Sequence, residues 1–343
     1  MTSFRRYVAR RLFLTAVTFF GVVVAVFVLT FVLPGDVAAL KAGEFADEEL
    51  LAQMRKEMGT DRPLPIQFVH YVGKLARGDM GTAWLTGRPV RYELGERLPA
   101  TIELALAALI IAVISGHILG VAAAIKQNSA IDHVIRGYAI LGASTAIFWL
   151  VLVLVYVFYY RLGWAPAPLG RLDVGLQAPP KITTLYVVDS LLARDWELFR
   201  NSLAHLALPA VALGFMVSAP ITKMVRASML DVLHRDFVRT ARTVGVSYRE
   251  IIVRDALRNA LIPILTQIGI VFGYLMAGNV LVEQIVAWPG IGQYAWQSLT
   301  TNDFEALRGV IIVVAVTYVL INLLIDLSYG VIDPRIRLGQ AGN

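Results

Sequence analysis

Apolar and polar positions along the 343-residue chain fall into long blocks. Residues 12–33 are 22 positions without a charge. At 1.5 Å per residue that is about 33 Å, enough to cross a hydrocarbon core of roughly 30 Å. Further apolar runs of span length cover 98–125, 137–160, 262–284 and 309–330. A weaker run, 203–222, contains Pro209 and Pro220. Proline is tolerated in a membrane helix where neighbours or water satisfy the freed carbonyl, and it implies a kink. The pattern therefore predicts an all-α polytopic membrane protein with six transmembrane helices. The first apolar run is too long for a cleaved signal peptide, so it is expected to remain as the first span.

The polar blocks between these runs differ in character. Residues 34–97 hold nine basic and ten acidic residues. Pro34-Gly35-Asp36 is expected to end the first helix, and 47–58 and 66–75 read as short amphipathic helices. Residues 161–200 form a second long connection on the same side. Residues 223–258 are different, with eight Lys/Arg against four Asp/Glu. Within them Phe237, Val238, Ala241, Val244, Ile251, Ile252 and Leu257 recur at roughly helical spacing. Gly245 interrupts the pattern and Ser247 is placed to cap a second short helix. The expectation is helix, glycine turn, helix at a membrane surface. Such a loop either does mechanical work or only sets topology through its charge.

Composition narrows the class. Hydrophobic residues make up 57% of the chain and charged residues 16%, against about 25% charged in soluble domains. There is no cysteine, which excludes disulfides, thiol catalysis and Cys-ligated zinc. Five scattered histidines make no metal site. No phosphate-cradling G-x-x-x-x-G-K-[ST], no G-x-S-x-G and no H-E-x-x-H is present. The reading is of a non-enzyme with no catalytic residues and no cofactor of its own. The net charge of +6 speaks to lipid headgroups and topology before nucleic acid. With both termini inside, the inner segments carry sixteen Lys/Arg in 70 positions and the outer ones fifteen in 127. That asymmetry favours cytoplasmic N- and C-termini.

Ionisable residues within spans are functional candidates. Glu103 and His117 fall in the second span, Glu283 ends the fifth and Asp326 lies in the sixth, one turn from Asn322. Structural pairing and a functional role both fit them; Glu103 is also near enough to its span's start to reach the interface. Beyond the fifth span, Val280–Gly292 ends in Trp288, Pro289 and Gly290. Pro-Gly makes a tight turn, and a Trp there suits an interface.

The basic loop resembles the cytoplasmic "EAA" loop of permease subunits in bacterial ABC importers. Ala241, Gly245 and Leu257 match in register, while Arg239, Thr240 and Arg258 replace the usual Glu, Ala and Pro. The wording RTAR, then ALRNALIP, is similar to the dipeptide, oligopeptide and nickel permeases, as are RLPATIELALAA from Arg97, the Trp-Pro-Gly-x-Gly turn and the ending Asp333-Pro334-Arg335. The resemblance implies the type I ABC importer permease fold in a bacterial inner membrane. It divides the chain into residues 1–33 (cytoplasmic N-terminus and first span), 34–96 (external loop), 97–331 (permease domain, coupling loop 223–261) and 332–343 (cytoplasmic tail). It implies coupling through Arg239, Thr240, Ala241, Arg242, Gly245, Val246 and Ser247. It places Glu283, Trp288, Pro289 and Gly290 at the outer mouth, as gate or docking residues or as a cap. The implied partners are a second homologous permease, two cytoplasmic ATPases that hold ATP and Mg, an external solute-binding protein and membrane lipid. The implied cargo is a di- or oligopeptide or a similar small solute. The alternative is a stand-alone secondary transporter or channel, which would need an internal repeat and its own ion site.

Overall fold

The computed structural model describes residues 2–31, 47–58 and 61–332. The turn at Pro34-Gly35-Asp36, the ending Asp333-Pro334-Arg335 and almost all of the tail lie outside the described residues. Among those described the chain is helical, with one isolated bridge between Thr82 and Pro89. The helices are α1 (Thr2–Phe31), α2 (Glu48–Met58), α3 (Leu64–Ala76), α4 (Val90–Ile125), α5 (Ala130–Ser144) and α6 (Ile147–Leu154). Then come α7 (Tyr186–Leu192), α8 (Trp196–Leu233), α9 (Asp236–Thr243), α10 (Tyr248–Glu250), α11 (Leu257–Gly278), α12 (Val280–Ile285), α13 (Ile291–Thr300) and α14 (Phe304–Ile332). Two π-helical stretches, Val155–Arg161 and Ile251–Ala256, extend α6 and join α10 to α11.

Among the described residues five helices are long and apolar enough to cross a membrane: Val8–Val28, Val90–Ile125, Trp196–Leu233, Tyr248–Ala277 and Phe304–Leu327. A sixth crossing exists only if a bent pair is counted as one. The run at 137–160 is not the single rod that its hydropathy predicts. It breaks after Ser144, and the halves Ala130–Ser144 and Ile147–Arg161 meet at 103°. The Ser144 and Thr145 hydroxyls donate back to the Ile140 and Leu141 carbonyls, at 2.6 and 2.7 Å. The Leu141 carbonyl also accepts the Thr145 N–H at 3.0 Å, so the hydroxyl is a second donor there, and such back-bonding bends helices. The fifth run also departs from expectation. It ends at Asn279, and α12 restarts there with the Glu283 N–H donating to the Asn279 carbonyl at 2.8 Å.

The chain packs as two compact units. One comprises 1–5, 99–293 and 324–343, the other 6–98 and 294–323. In the larger unit α8 is the central rod, packed on α11, α5, α7 and α6. Its 38 residues span about 57 Å, well beyond a bilayer core. The surplus carries the helix through the start of the basic block. Close contacts give the helix directions. Gly116 and Gly120 of α4 lie against Ile221 and Val225, and Gly214 of α8 lies against Ile111. Both numbers rise together, so α4 and α8 run parallel. Asp132, Tyr138 and Gly142 of α5 meet Arg226, Ser218 and Phe215. One series rises as the other falls, so α5 is antiparallel to α8. In the smaller unit Phe27 of α1 packs edge-on against Phe68 of α3 at 5.2 Å. The extended stretch before α4 is clipped to the start of α14, with Thr82 and Trp84 N–H groups donating to Glu305 and Asp303 at 2.8 and 2.6 Å.

Candidate functional site

The basic loop folds into a short amphipathic knob between two span-length helices. After α8 the single extended residue Arg235 turns the chain into α9. Val238 is its buried anchor, while Arg239, Thr240 and Arg242 are exposed. The helix closes with two reverse bonds. The Gly245 N–H donates to the Arg242 carbonyl at 3.1 Å, and the Val246 N–H to the Ala241 carbonyl at 3.0 Å. This pair requires the residue between them to be left-handed, and Gly245 has φ +85°. Space around Gly245 is open, so the backbone angle alone demands glycine. The four-residue step from Ala241 to Gly245 is thus the geometry of a helix stop.

Ser247 then caps the next helix, its hydroxyl accepting from the Glu250 N–H at 3.3 Å. That second element is not a separate short helix in the loop. It is the start of the fifth span, continuous from Tyr248 to Ala277. Ile251, Ile252 and Ala256 bury its first turns beside α9 and α8. The Arg242 guanidinium stacks over the Tyr248 ring at 4.7 Å, tying the helix stop to the new start. The exposed face presents Arg239, Arg242, Val244 and Arg249. It is a cationic surface held at both ends by long helices.

At the far end of α11, about 45 Å of helix away over 30 residues, lies a buried polar cluster. Glu283 of α12 is fully buried. It accepts the Thr101 hydroxyl of α4 at 2.6 Å and the Gln293 N–H at 3.0 Å. The Thr101 oxygen in turn accepts the Ile291 N–H at 2.8 Å. Between them Ala287 is left-handed, and Trp288 N–H donates back to the Glu283 carbonyl at 2.7 Å. Trp288 is 1% exposed and its indole N–H donates to the Ala100 carbonyl at 2.8 Å. It is a core residue, which corrects the reading of an interfacial Trp. A methyl on Gly290 would land on Glu283 Oε2 and Thr101 Oγ1, so the turn can approach only as glycine. Pro289 remains exposed.

Next to this cluster Glu103 does not reach the interface. It is buried and ion-paired with Arg171 from the connection after α6. Glu103 also accepts the Val187 N–H at 2.8 Å. The Arg171 guanidinium lies 3.4 Å over the Tyr186 ring. Thr101, Arg171 and Gln293 are the partners that sequence reasoning missed. His117 bonds the Val113 carbonyl of its own helix at 2.8 Å. Asp326 is half-buried on α14. Among the described residues no three His, Asp or Glu are grouped to hold a metal ion.

Residues 116–338 match the family described as binding-protein-dependent transport system inner membrane component, and 4–105 match the N-terminal region of such components. The chain is 43% identical over 319 residues to the probable D,D-dipeptide transport system permease protein DdpB of Escherichia coli (strain K12), covering 93% of this chain and 94% of that protein. It is 41% identical over 332 residues to the di/tripeptide transport system permease protein DppB of Pseudomonas aeruginosa (strain UCBPP-PA14), covering 96% and 98%. It is 35% identical over 331 residues to the glutathione transport system permease protein GsiC of Salmonella choleraesuis (strain SC-B67), covering 96% and 98%.

Proposed function

The chain belongs to the binding-protein-dependent transport system inner membrane components, as a permease subunit of an ABC importer, and from that premise we propose that it forms half of an ATP-driven pathway for di- or tripeptides. The peptide cargo rests on relatives named for D,D-dipeptides and di/tripeptides that align over nearly its full length. The knob is the observation that carries the mechanism. A helix closed at Gly245 and stacked through Arg242 and Tyr248 is tied to the span that follows it, and Val238 and the single residue Arg235 tie it to the one before. We assign Arg239, Thr240, Ala241, Arg242, Gly245, Val246 and Ser247 to the contact with a cytoplasmic ATPase, which holds the ATP and Mg. Nucleotide-driven closure of two ATPases then moves two knobs, one on this chain and one on a second permease. The stroke travels along α8 and along the 30-residue fifth span. Glu283, Trp288, Pro289 and Gly290 hold the outer end of that span to α4, so the span rocks as one lever. An external binding protein delivers the peptide to the opened mouth.

The test is uptake of radiolabelled dialanine into proteoliposomes holding the chain with its second permease, two ATPases and binding protein. ATP-dependent uptake that fails when any component is left out supports the reading. Uptake by this chain alone, driven by an ion gradient, would establish the stand-alone transporter instead.

A further inference from the structure

Arg226 of the basic block forms an ion pair that lies outside the knob, with a buried carboxylate and a part-exposed guanidinium. Asp132 opens α5 and is fully buried. Its two carboxylate oxygens accept the Nε and Nη2 of Arg226 on α8, at 2.7 and 2.8 Å. The Asn128 N–H adds a third bond at 3.0 Å, from a residue held left-handed at φ +62°. Ser129 caps the same turn by accepting the Asp132 N–H, and Arg136 lies 3.7 Å from the carboxylate. A planar fork meeting both oxygens is the most directional ion pair a protein can build.

Its place in the fold gives it a mechanical meaning. Arg226 lies on the inner extension of α8, seven residues before that helix ends and the knob begins. Asp132 anchors the turn that joins α4 to α5. Further along the same antiparallel seam the Tyr138 hydroxyl bonds Ser218 Oγ at 2.7 Å, and the Tyr138 ring meets Phe215 edge-on at 5.0 Å. Beyond these, Gly142 lets α5 close on Ala219 and the Phe215 carbonyl. On an adjoining face of α8, Gly116, Gly120 and Gly214 admit Ile221, Val225 and Ile111 with no room for a methyl. At the end of the α5 seam nearest the knob the ion pair is the contact, beside the packing of Val225 on Gly120.

We propose that Asp132 and Arg226 are positioning residues for transport: they clamp α5 and the α4–α5 turn to the root of the knob, so that α4, α5 and α8 move as one body during the stroke. The inference rests on the knob being the coupling element. The clamp stays closed throughout the cycle. Opening it would leave a buried carboxylate with only the looser Arg136 at 3.7 Å and without the two fork hydrogen bonds, which is costly.

The experiment uses the complete reconstituted importer and reads dialanine uptake per ATP hydrolysed. Arg226→Lys keeps the charge and loses the fork, and is expected to lower that ratio about threefold. Asp132→Asn is expected to lower it about tenfold while ATP hydrolysis continues. The chain has no cysteine, so Asp132→Cys/Arg226→Cys can be bridged selectively by a bifunctional thiol reagent. Bridging is expected to restore most of the ratio lost in the unbridged pair. Arrest of uptake on bridging, or a wild-type ratio in Arg226→Lys and Asp132→Asn, would overturn the clamp. Gly245→Val is the control. If it uncouples while the clamp variants do not, only the clamp fails; if it too couples normally, the knob assignment itself fails.

Discussion

Thr101→Val changes the shape of the buried cluster by almost nothing and its hydrogen bonding by a great deal. The Thr101 hydroxyl donates to Glu283 at 2.6 Å and accepts from the Ile291 N–H at 2.8 Å, in a site 1% exposed. Valine deprives both partners at once. A buried polar group left unsatisfied costs about 1–3 kcal/mol, so the pair costs about 2–6 kcal/mol. Glu283 retains the Gln293 N–H, which places the expected loss in the lower half of that range, about 3 kcal/mol. Thr101→Ser keeps the hydroxyl and loses one methyl, about 1 kcal/mol. The assay is the fraction of purified protein that stays monodisperse by size exclusion after graded heating. At about 2–3 °C per kcal/mol, valine should lower the midpoint by about 6–9 °C and serine by about 2–3 °C. A valine midpoint within about 2 °C of wild type, or serine as damaging as valine, would refute the hydrogen-bond argument in favour of simple packing.

Three further outcomes follow from other contacts. Gly116→Leu drives a side chain into Ile221 and the Ser218 carbonyl, and should cost about 1–3 kcal/mol or more by overpacking, seen as a fall in heat-resistant monodisperse protein. Asp189, outside the spans, is pushed up by burial, but the Thr183 hydroxyl and the N–H groups of Thr183, Ile182 and Thr184 win and hold its carboxyl below the usual range. A depressed value stabilises the fold above the ordinary Asp range and loses that effect as pH falls through the folded value. Asp189→Asn should therefore be less heat-stable than wild type at neutral pH, with the gap closing below a pH of about 4; a constant gap across that range would contradict it. Gly245→Val forces a β-branched residue to φ +85°, costing about 1–2 kcal/mol locally, and should cut uptake severalfold while leaving membrane insertion intact.

The sequence made different features legible for physical reasons. Long apolar runs announce spans because lipid demands them locally. Gly245 and Ser247 were readable because helix stops and caps are set by neighbouring residues. The 103° break after Ser144 was hidden, since no proline marks the bend and hydroxyl back-bonding leaves no trace in hydropathy. The division of the fifth run at Asn279 was hidden because one polar residue is averaged away inside an apolar run. Glu283 was visible as an acid near a membrane, but its partner Thr101 is 182 positions away and one hydroxyl among many. The same holds for Glu103 and Arg171, 68 apart. Trp288 misled because a Trp beside Pro-Gly suits an interface, and only the tertiary fold shows its ring buried. Periodicity reports one element's exposure and says nothing about which residue of another element meets it.

The most direct measurement places one cysteine at Val244, 73% exposed on the knob, in a chain that otherwise has none. A membrane-impermeant maleimide should label it in inverted vesicles and not in intact cells, and a short thiol cross-linker should join it to the ATPase subunit. Labelling from outside intact cells, or no cross-link to the ATPase in an importer that transports, would contradict the account.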